Sequence, residues 1–261
     1  MICGVIGQPI SHSASPRLHR AAYAWLGLDW QYRRCEVAAD QVADFVAGLS
    51  DDWRGVSVTM PCKPAAAACG HPDGVVAALG VANTILFDGH PGDVDTTRVA
   101  NTDVPGIQGV LAGQGFDAAG PVTVWGNGAT ATSCLYALAQ IGVTRASLRA
   151  RDDAKTAALA RRAVDWGIDV VVGQATGGTL ISTVPAGVAS QWLTDLVAAD
   201  LVVDVIYDPW PTPLAEWADR RGTSLATGLD LLAAQAVGQV ELMTGRIVPL
   251  TVLRQAARSA K

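Results

Sequence analysis

A chain of 261 residues that is 50% hydrophobic and only 16% charged has room for two modest domains and the apolar material to fill them, which excludes a disordered polypeptide. Its net charge of −5 argues against general nucleic-acid binding, which needs a basic face. No apolar run reaches the roughly 18 residues that would span a membrane, and Met1-Ile2-Cys3-Gly4-Val5-Ile6 lacks the basic start of a signal peptide. The cysteines Cys3, Cys35, Cys62, Cys69 and Cys134 include no Cys-x-x-Cys pair and are expected to be reduced thiols of a cytoplasmic protein. The four histidines do not cluster with acidic residues, so no metal is expected.

In chain order, residues 2–7 read as a short buried strand that runs into a hydroxyl-rich loop. Ser15 before Pro16 reads as a helix N-cap followed by a first-turn proline. Leu18, Ala22, Trp25 and Leu26 make the apolar face, and Gly27 ends the helix. Ser13 and Ser15 thus stand at a helix N-terminus, where free N–H groups and the dipole favour a small carboxylate or phosphate. His12 and His19 read as structural. Residues 30–37 alternate as a second strand, and 42–49 as an amphipathic helix.

Val56 and Val58 alternate with Ser57 and Thr59, the pattern of a strand with one face buried. Pro61 forces the chain out of the sheet and suits the first turn of the helix that the alanine run 65–68 supplies. Lys63 therefore lies where a strand hands over to a helix. Residues 80–86 read as a strand carrying the polar pair Asn83-Thr84, and Asp103, in a polar break before Gly106, reads alone as a turn or cap aspartate.

Pro121-Val122-Thr123-Val124-Trp125 is a buried-type strand, followed directly by Gly126-Asn127-Gly128-Ala129-Thr130-Ala131. This is G-x-G-x-x-A opening a helix with Leu135, Leu138 and Ile141 on its apolar face. Small residues there permit a tight turn, close backbone approach to a pyrophosphate and close helix–strand packing. A strand at 144–148 ends in Arg149-Ala150-Arg151-Asp152-Asp153-Ala154-Lys155. An acidic residue at such an end takes the ribose 2′-hydroxyl of NAD, whereas arginine suits the 2′-phosphate of NADP. Further strands are expected at 180–183 and 201–206, and Gln235 lies on a helix otherwise lined by apolar residues.

The segment Gly7-x-Pro9-Ile10-x-His12-Ser13-x-Ser15-Pro16-x-x-His19 resembles the opening signature of the shikimate dehydrogenases. Val58-Thr59-x-Pro61-x-Lys63, Ala82-Asn83-Thr84 and Asn101-Thr102-Asp103 are similar to that family's next three blocks, in order. Tyr207-x-Pro209-x-x-Thr212-Pro213-Leu214 and Gly228-Leu229-x-x-Leu232-x-x-Gln235-Ala236 extend the likeness over essentially the whole chain. The resemblance implies that Lys63 and Asp103 form the catalytic dyad and that Ser13 and Ser15 hold a substrate carboxylate. Thr59 and Asn83 would contact ring hydroxyls, with Tyr207 and Gln235 completing the substrate site. Gly126, Asn127, Gly128, Ala129, Thr130, Arg151, Lys155 and Gly228 would bind NADP.

Several positions depart from the family pattern. Ser57 and Arg20 stand where asparagines are usual and are expected to reshape the pocket edge. Ala150 and Asp152 flank Arg151 in place of an Asn-Arg-Thr block, and Ser182-Thr183-Val184-Pro185 replaces Asn-Ala-Thr-Pro beside the nicotinamide.

The expected fold is α/β in two domains: a substrate domain over 1–104 completed by helices in 230–261, and a Rossmann-like domain over 105–229, with a ligand crevice between them. The implied reaction is reversible NADPH-dependent reduction of 3-dehydroshikimate to shikimate, by a cytoplasmic monomer or homodimer. Quinate or aminoshikimate dehydrogenation would share the dyad. A non-catalytic NADP sensor would have no need of both Lys63 and Asp103.

Overall fold

The computed structural model describes residues 1–173 and 177–259. The chain separates into two compact units, Met1–Gly106 with Leu232–Lys261, and Ile107–Leu231. In the first unit, β1 (Ile2–Gly7) is buried along almost its whole length. Helix α1 (Ser15–Leu26) buries Leu18, Ala22 and Tyr23 and stops at Gly27, whose φ of 68° is the left-handed end that glycine adopts without strain. Ser15 is the first residue of α1 and not its cap. Ala14 takes the cap position, and Ser13 Oγ accepts a hydrogen bond from Ser15 N at 3.3 Å. Pro16 starts the helix without a capping hydroxyl because it has no N–H to satisfy.

The sheet is completed by β2 (Gln31–Glu36), β3 (Trp53–Val58), β4 (His71–Pro72), β5 (Thr84–Phe87) and β6 (Thr97–Ala100), in the order β2-β1-β3-β5-β6-β4. Helices α2 (Val42–Ala47), α3 (Lys63–Ala66) and α4 (Gly74–Leu79) connect its strands. Strand β3 runs parallel to β1 and antiparallel to β5. A central strand is covered on both faces, so Ser57 is buried where one-faced alternation predicts an exposed hydroxyl. Pro64, and not Pro61, occupies the first turn of α3; Pro61 lies in the turn before it, after a cis Met60–Pro61 peptide. The chain leaves this unit along α5 (Asp103–Gly113).

The second unit carries β7 (Val122–Trp125), α6 (Ala129–Gln140), β8 (Arg145–Arg149), α7 (Asp153–Val164) and β9 (Asp169–Val172). It continues with β10 (Thr179–Ser182), α8 (Ala186–Trp192), β11 (Leu201–Asp204), α9 (Pro213–Arg221) and β12 (Ser224–Thr227). Among the described residues all its strand pairs are parallel, in the order β12-β11-β10-β7-β8-β9, which makes this unit Rossmann-like. Strands β7, β10 and β11 are buried throughout, as parallel strands covered on both faces must be. Strand order reverses between β7 and β10, so ligands of such sheets bind beyond the C-terminal ends of these two strands. Trp125, Leu180, Val202, Leu214 and Trp217 fill one side of its core.

Helix α10 (Gly228–Thr244) begins in the second unit and returns the chain to the first, where α11 (Leu250–Arg258) packs on α1. Arg17 ties that contact by donating to the carbonyls of Ala257 and Ser259, both at 2.5 Å. Gln239, on α10, sits wholly inside the first unit. Its Oε1 accepts from Ser57 Oγ at 2.9 Å and faces His19 Nε2 at 3.3 Å, and its Nε2 donates to the Asn83 carbonyl at 2.9 Å. Ser57 in turn accepts from Tyr32 at 2.7 Å, so its hydroxyl is bonded on both sides within this buried network. Arg20 donates to the Tyr32 carbonyl at 2.9 Å.

His19 is fully buried and stacks on Tyr32, with ring centroids 4.1 Å apart. Burial pushes its pKa down from 6.5 to about 4, against the opposing pull of the Gln239 hydrogen bond. Between those values the unfolded chain binds the proton and the folded chain does not, so stability falls as pH drops from 6.5 towards 4. The loss reaches about 3 kcal/mol for a depression from 6.5 to about 4. His19→Gln is expected to flatten this part of the curve when urea midpoints are measured across pH 4–7. Parallel curves for the two proteins would assign the acid sensitivity to other groups.

Candidate active site

In the first unit, the turn after β3 delivers Lys63 to the start of α3, and the turn after β6 delivers Asp103 to the start of α5. Both side chains are buried, and Lys63 Nζ donates to Asp103 Oδ2. The other carboxylate oxygen, Oδ1, accepts from Asn83 Nδ2 at 3.0 Å. Asn83 is held in that orientation because its Oδ1 already accepts from Thr102 N and from Thr84 Oγ1, each at 2.9 Å. Its Nδ2 also faces Gln235 Oε1 at 3.1 Å, while Gln235 Nε2 donates to the Leu232 carbonyl at 3.2 Å. Gln235 approaches this closely because α5 meets α10 at Gly106, where a Cβ would lie 2.9 Å from Gln235 N. Asn101 fixes the start of α5, its Oδ1 accepting from Asp103 N at 3.0 Å.

The fold therefore gathers Lys63, Asp103, Asn83 and Gln235 into one hydrogen-bonded cluster. A buried ion pair adds little net stability, because desolvating two charges offsets their attraction. Ser13 and Ser15 form a second group at the start of α1, both buried, with the Ser13 carbonyl held by Arg34 at 2.8 and 3.0 Å. Thr59 is half-buried in the turn leaving β3, where its N donates to the Ile6 carbonyl at 2.9 Å.

In the second unit, Gly126 leaves β7 with φ 110°, and Thr183 Oγ1 occupies the space a side chain there would need. Gly128 caps α6 without a side chain, leaving the first N–H groups of Ala129 and Thr130 open to an anion. The 126–128 turn opens on a cavity of about 360 Å³, whose far wall is the 150–152 turn with Lys155 and whose floor includes residues 183–185 and Trp192. Asn127 crosses it, its Nδ2 donating to the Asp152 carbonyl and Thr156 Oγ1, both at 3.0 Å. Asp152 caps α7, its Oδ1 accepting from Lys155 N at 3.0 Å. Arg151 has no partner among the described residues and is exposed. Arg149 lies over the Trp192 ring at 4.7 Å and donates to Asp195 at 2.6 Å.

Gly228 opens α10 against the Val205 carbonyl. Tyr207 is half-buried in the loop after β11. That loop is anchored by Asp204, which accepts from Thr212 Oγ1 and, at 3.2 Å, from Ile206 N. Burial raises the Asp204 carboxyl pKa, although both hydrogen bonds pull it down. A larger hollow of about 730 Å³ lies at the opposite ends of β7 and β8, without the glycine turn or a helix N-terminus. The smaller cavity is the one bordered by the glycine turn and the start of α6.

Thr102 and Gln239 are the residues of this cluster and its support that sequence reasoning passed over. Thr102 lies inside the quoted Asn101-Thr102-Asp103 block. Gln239 follows Gln235 by four residues on an apolar helix, which puts two amides on one face.

Residues 5–85 match the family model described as the shikimate dehydrogenase substrate binding domain. A shikimate dehydrogenase (NADP(+)) of Methanocella arvoryzae is 31% identical, over 99% of this chain and 98% of the relative. The crystal structure of Mycobacterium tuberculosis shikimate dehydrogenase superposes with a TM-score of 0.87 at 38% identity, covering 98% of each chain. That of the Thermus thermophilus enzyme in complex with NADP(H) and shikimate gives 0.83 at 25% identity, over 99% of this chain and 98% of that one. With the buried Lys63–Asp103 cluster and the glycine-turn cavity already in place, this likeness over nearly the full length identifies the chain as a member of the shikimate dehydrogenase family.

Proposed function

We propose that this chain is an NADP-dependent oxidoreductase that reversibly reduces 3-dehydroshikimate to shikimate. The observation that carries this reading is the buried cluster in which Lys63 donates to Asp103 and Asp103 accepts from Asn83. When bound, the reduced nicotinamide supplies the hydride. The ketone oxygen then gains negative charge and needs a nearby positive group and a proton donor. Lys63 provides both, and Asp103 orients its ammonium while accepting from a ring hydroxyl. Asn83 and Gln235 fix the remaining hydroxyls, and Ser13 and Ser15 hold the carboxylate at the start of α1. Arg151 takes the 2′-phosphate, and the open N–H groups at the start of α6 take the pyrophosphate.

Among the described residues the five cysteines form no disulfide, which supports a cytoplasmic location, and no helix is long and apolar enough to cross a membrane. A monomer or homodimer is the proposed assembly. The test is a spectrophotometric screen of shikimate and quinate against NADP and NAD, following nicotinamide absorbance. Shikimate with NADP is expected to give the highest kcat/KM, and no turnover of shikimate with either cofactor would overturn the reading.

The carboxylate assignment has its own test. Replacing both Ser13 and Ser15 with alanine should raise the KM for shikimate roughly ten- to a hundredfold, since each hydroxyl would donate to a charged group. The KM for NADP should not move. An unchanged KM for shikimate in the folded double variant would place the carboxylate elsewhere.

A further inference from the structure

We propose that Asp152 is a specificity-determining residue, its carboxylate holding the preference for a 2′-phosphorylated dinucleotide below what Arg151 and Lys155 would give by themselves. The inference rests on the NADP reading of the 360 Å³ cavity, where all three residues lie on one wall. Four hydrogen bonds fix Asp152 there: Oδ1 accepts from Lys155 N at 3.0 Å, and its carbonyl accepts from Asn127 Nδ2 at 3.0 Å, from Thr156 Oγ1 at 2.6 Å and from Thr156 N at 2.9 Å. Its second carboxylate oxygen lies 3.7 Å from Lys155 Nζ, so one of the wall's two cations already faces an anion. Arg149 cannot replace it, being paired with Asp195 and laid over Trp192.

A phosphate monoester arriving at this wall carries a charge of about −1.5 to −2. It meets Arg151 unopposed, a Lys155 partly offset, and the like charge of Asp152. A 2′-hydroxyl is neutral and can donate to a carboxylate, so the same residue that disfavours the phosphate favours the unphosphorylated ribose. The glycine-turn side of the cavity meets both dinucleotides alike. Asp152 therefore acts on the ratio of the two affinities and not on their common part.

The test compares dissociation constants for 2′-phospho-ADP-ribose and ADP-ribose, measured calorimetrically on the full chain. Asp152→Asn and Asp152→Ser remove the charge and keep a side chain that caps a helix well, so α7 retains its start. Each is expected to shift the ratio towards the phosphorylated ligand by roughly three- to tenfold, as loss of one partly screened like charge allows. Asp153→Asn removes an equal charge from the same helical turn, but Asp153 does not line the cavity, and the ratio should stay within about twofold.

An unchanged ratio in both Asp152 variants would overturn the inference while leaving the cofactor reading intact. An equal rise in Asp153→Asn would also overturn it, because net charge and not position would then be responsible. Failure of the unmodified protein to bind either ligand would remove the dinucleotide site and the inference together.

Discussion

Lys63→Ala is expected to lower turnover of shikimate by roughly 10²–10⁴-fold, the usual worth of a positioned proton-transfer group, while leaving NADP affinity within about twofold. Lys63 lies in the first unit, and the glycine turn and Arg151 lie in the second, so the substitution removes no proposed cofactor contact. Asp103→Ala should behave alike, because Lys63 then loses its acceptor and Asn83 Nδ2 loses one of its own. Either variant also leaves one buried charge without its partner, which destabilises by about 3–5 kcal/mol where no water enters. Thermal unfolding must therefore be recorded beside kcat, and turnover scored only at temperatures where each variant is folded. Wild-type turnover in folded Lys63→Ala would show that the reaction does not pass through this pair.

Arg151→Ala is expected to lower kcat/KM with NADP roughly ten- to a hundredfold and to leave the value with NAD within about twofold. Of the three cations clustered after β8, Arg149 is committed to Asp195, and Lys155 faces Asp152 at 3.7 Å. Arg151 alone is exposed on the cavity wall with no partner among the described residues, so the discrimination falls mainly to it. Its planar guanidinium can also stack on adenine, which both cofactors share, and that part of its effect would appear equally with NAD. The ratio of catalytic efficiencies before and after the substitution separates the two contributions. Equal losses with both cofactors would leave Arg151 as an adenine contact only.

Much of the fold is legible in the sequence where apolar periodicity is long and bounded by glycine. Strand β1, helix α1 up to Gly27, and the β7–α6 unit around Gly126 fall where the pattern puts them. Strands β4, β6, β9 and β12 escape, because each is two to four residues long and, unlike β7, is not buried throughout. Ser57 is misjudged for a different reason. Alternation of Val56 and Val58 with polar residues signals one buried face, and only the tertiary partners Tyr32 and Gln239 make the polar side buried too. At the site, Lys63, Asn83 and Asp103 sit in short polar breaks at strand ends, but alone they read as cap or turn residues, and only the resemblance to the family's blocks singles them out. What the sequence leaves hidden is the support behind them. Gln239 is an amide on an apolar helix, and its four partners are His19 of α1, Ser57 of β3, Thr84 of β5 and Asn83 just before it, all far from it along the chain.

The return of α10 to the first unit has a consequence for synthesis on the ribosome. Residues 107–231 emerge before Gln235, Gln239, Met243 and α11, so the second unit has its complete sequence while the first still lacks part of its interior. Until then Ser57 and His19 lack their shared acceptor, Arg54 lacks the Met243 carbonyl, and the face of α1 that later meets α11 is open. The strands of the first unit are thus all made before the helices that complete its interior, so that unit can finish only after the second has its full sequence, reversing the N-terminal-first order in which domains usually mature.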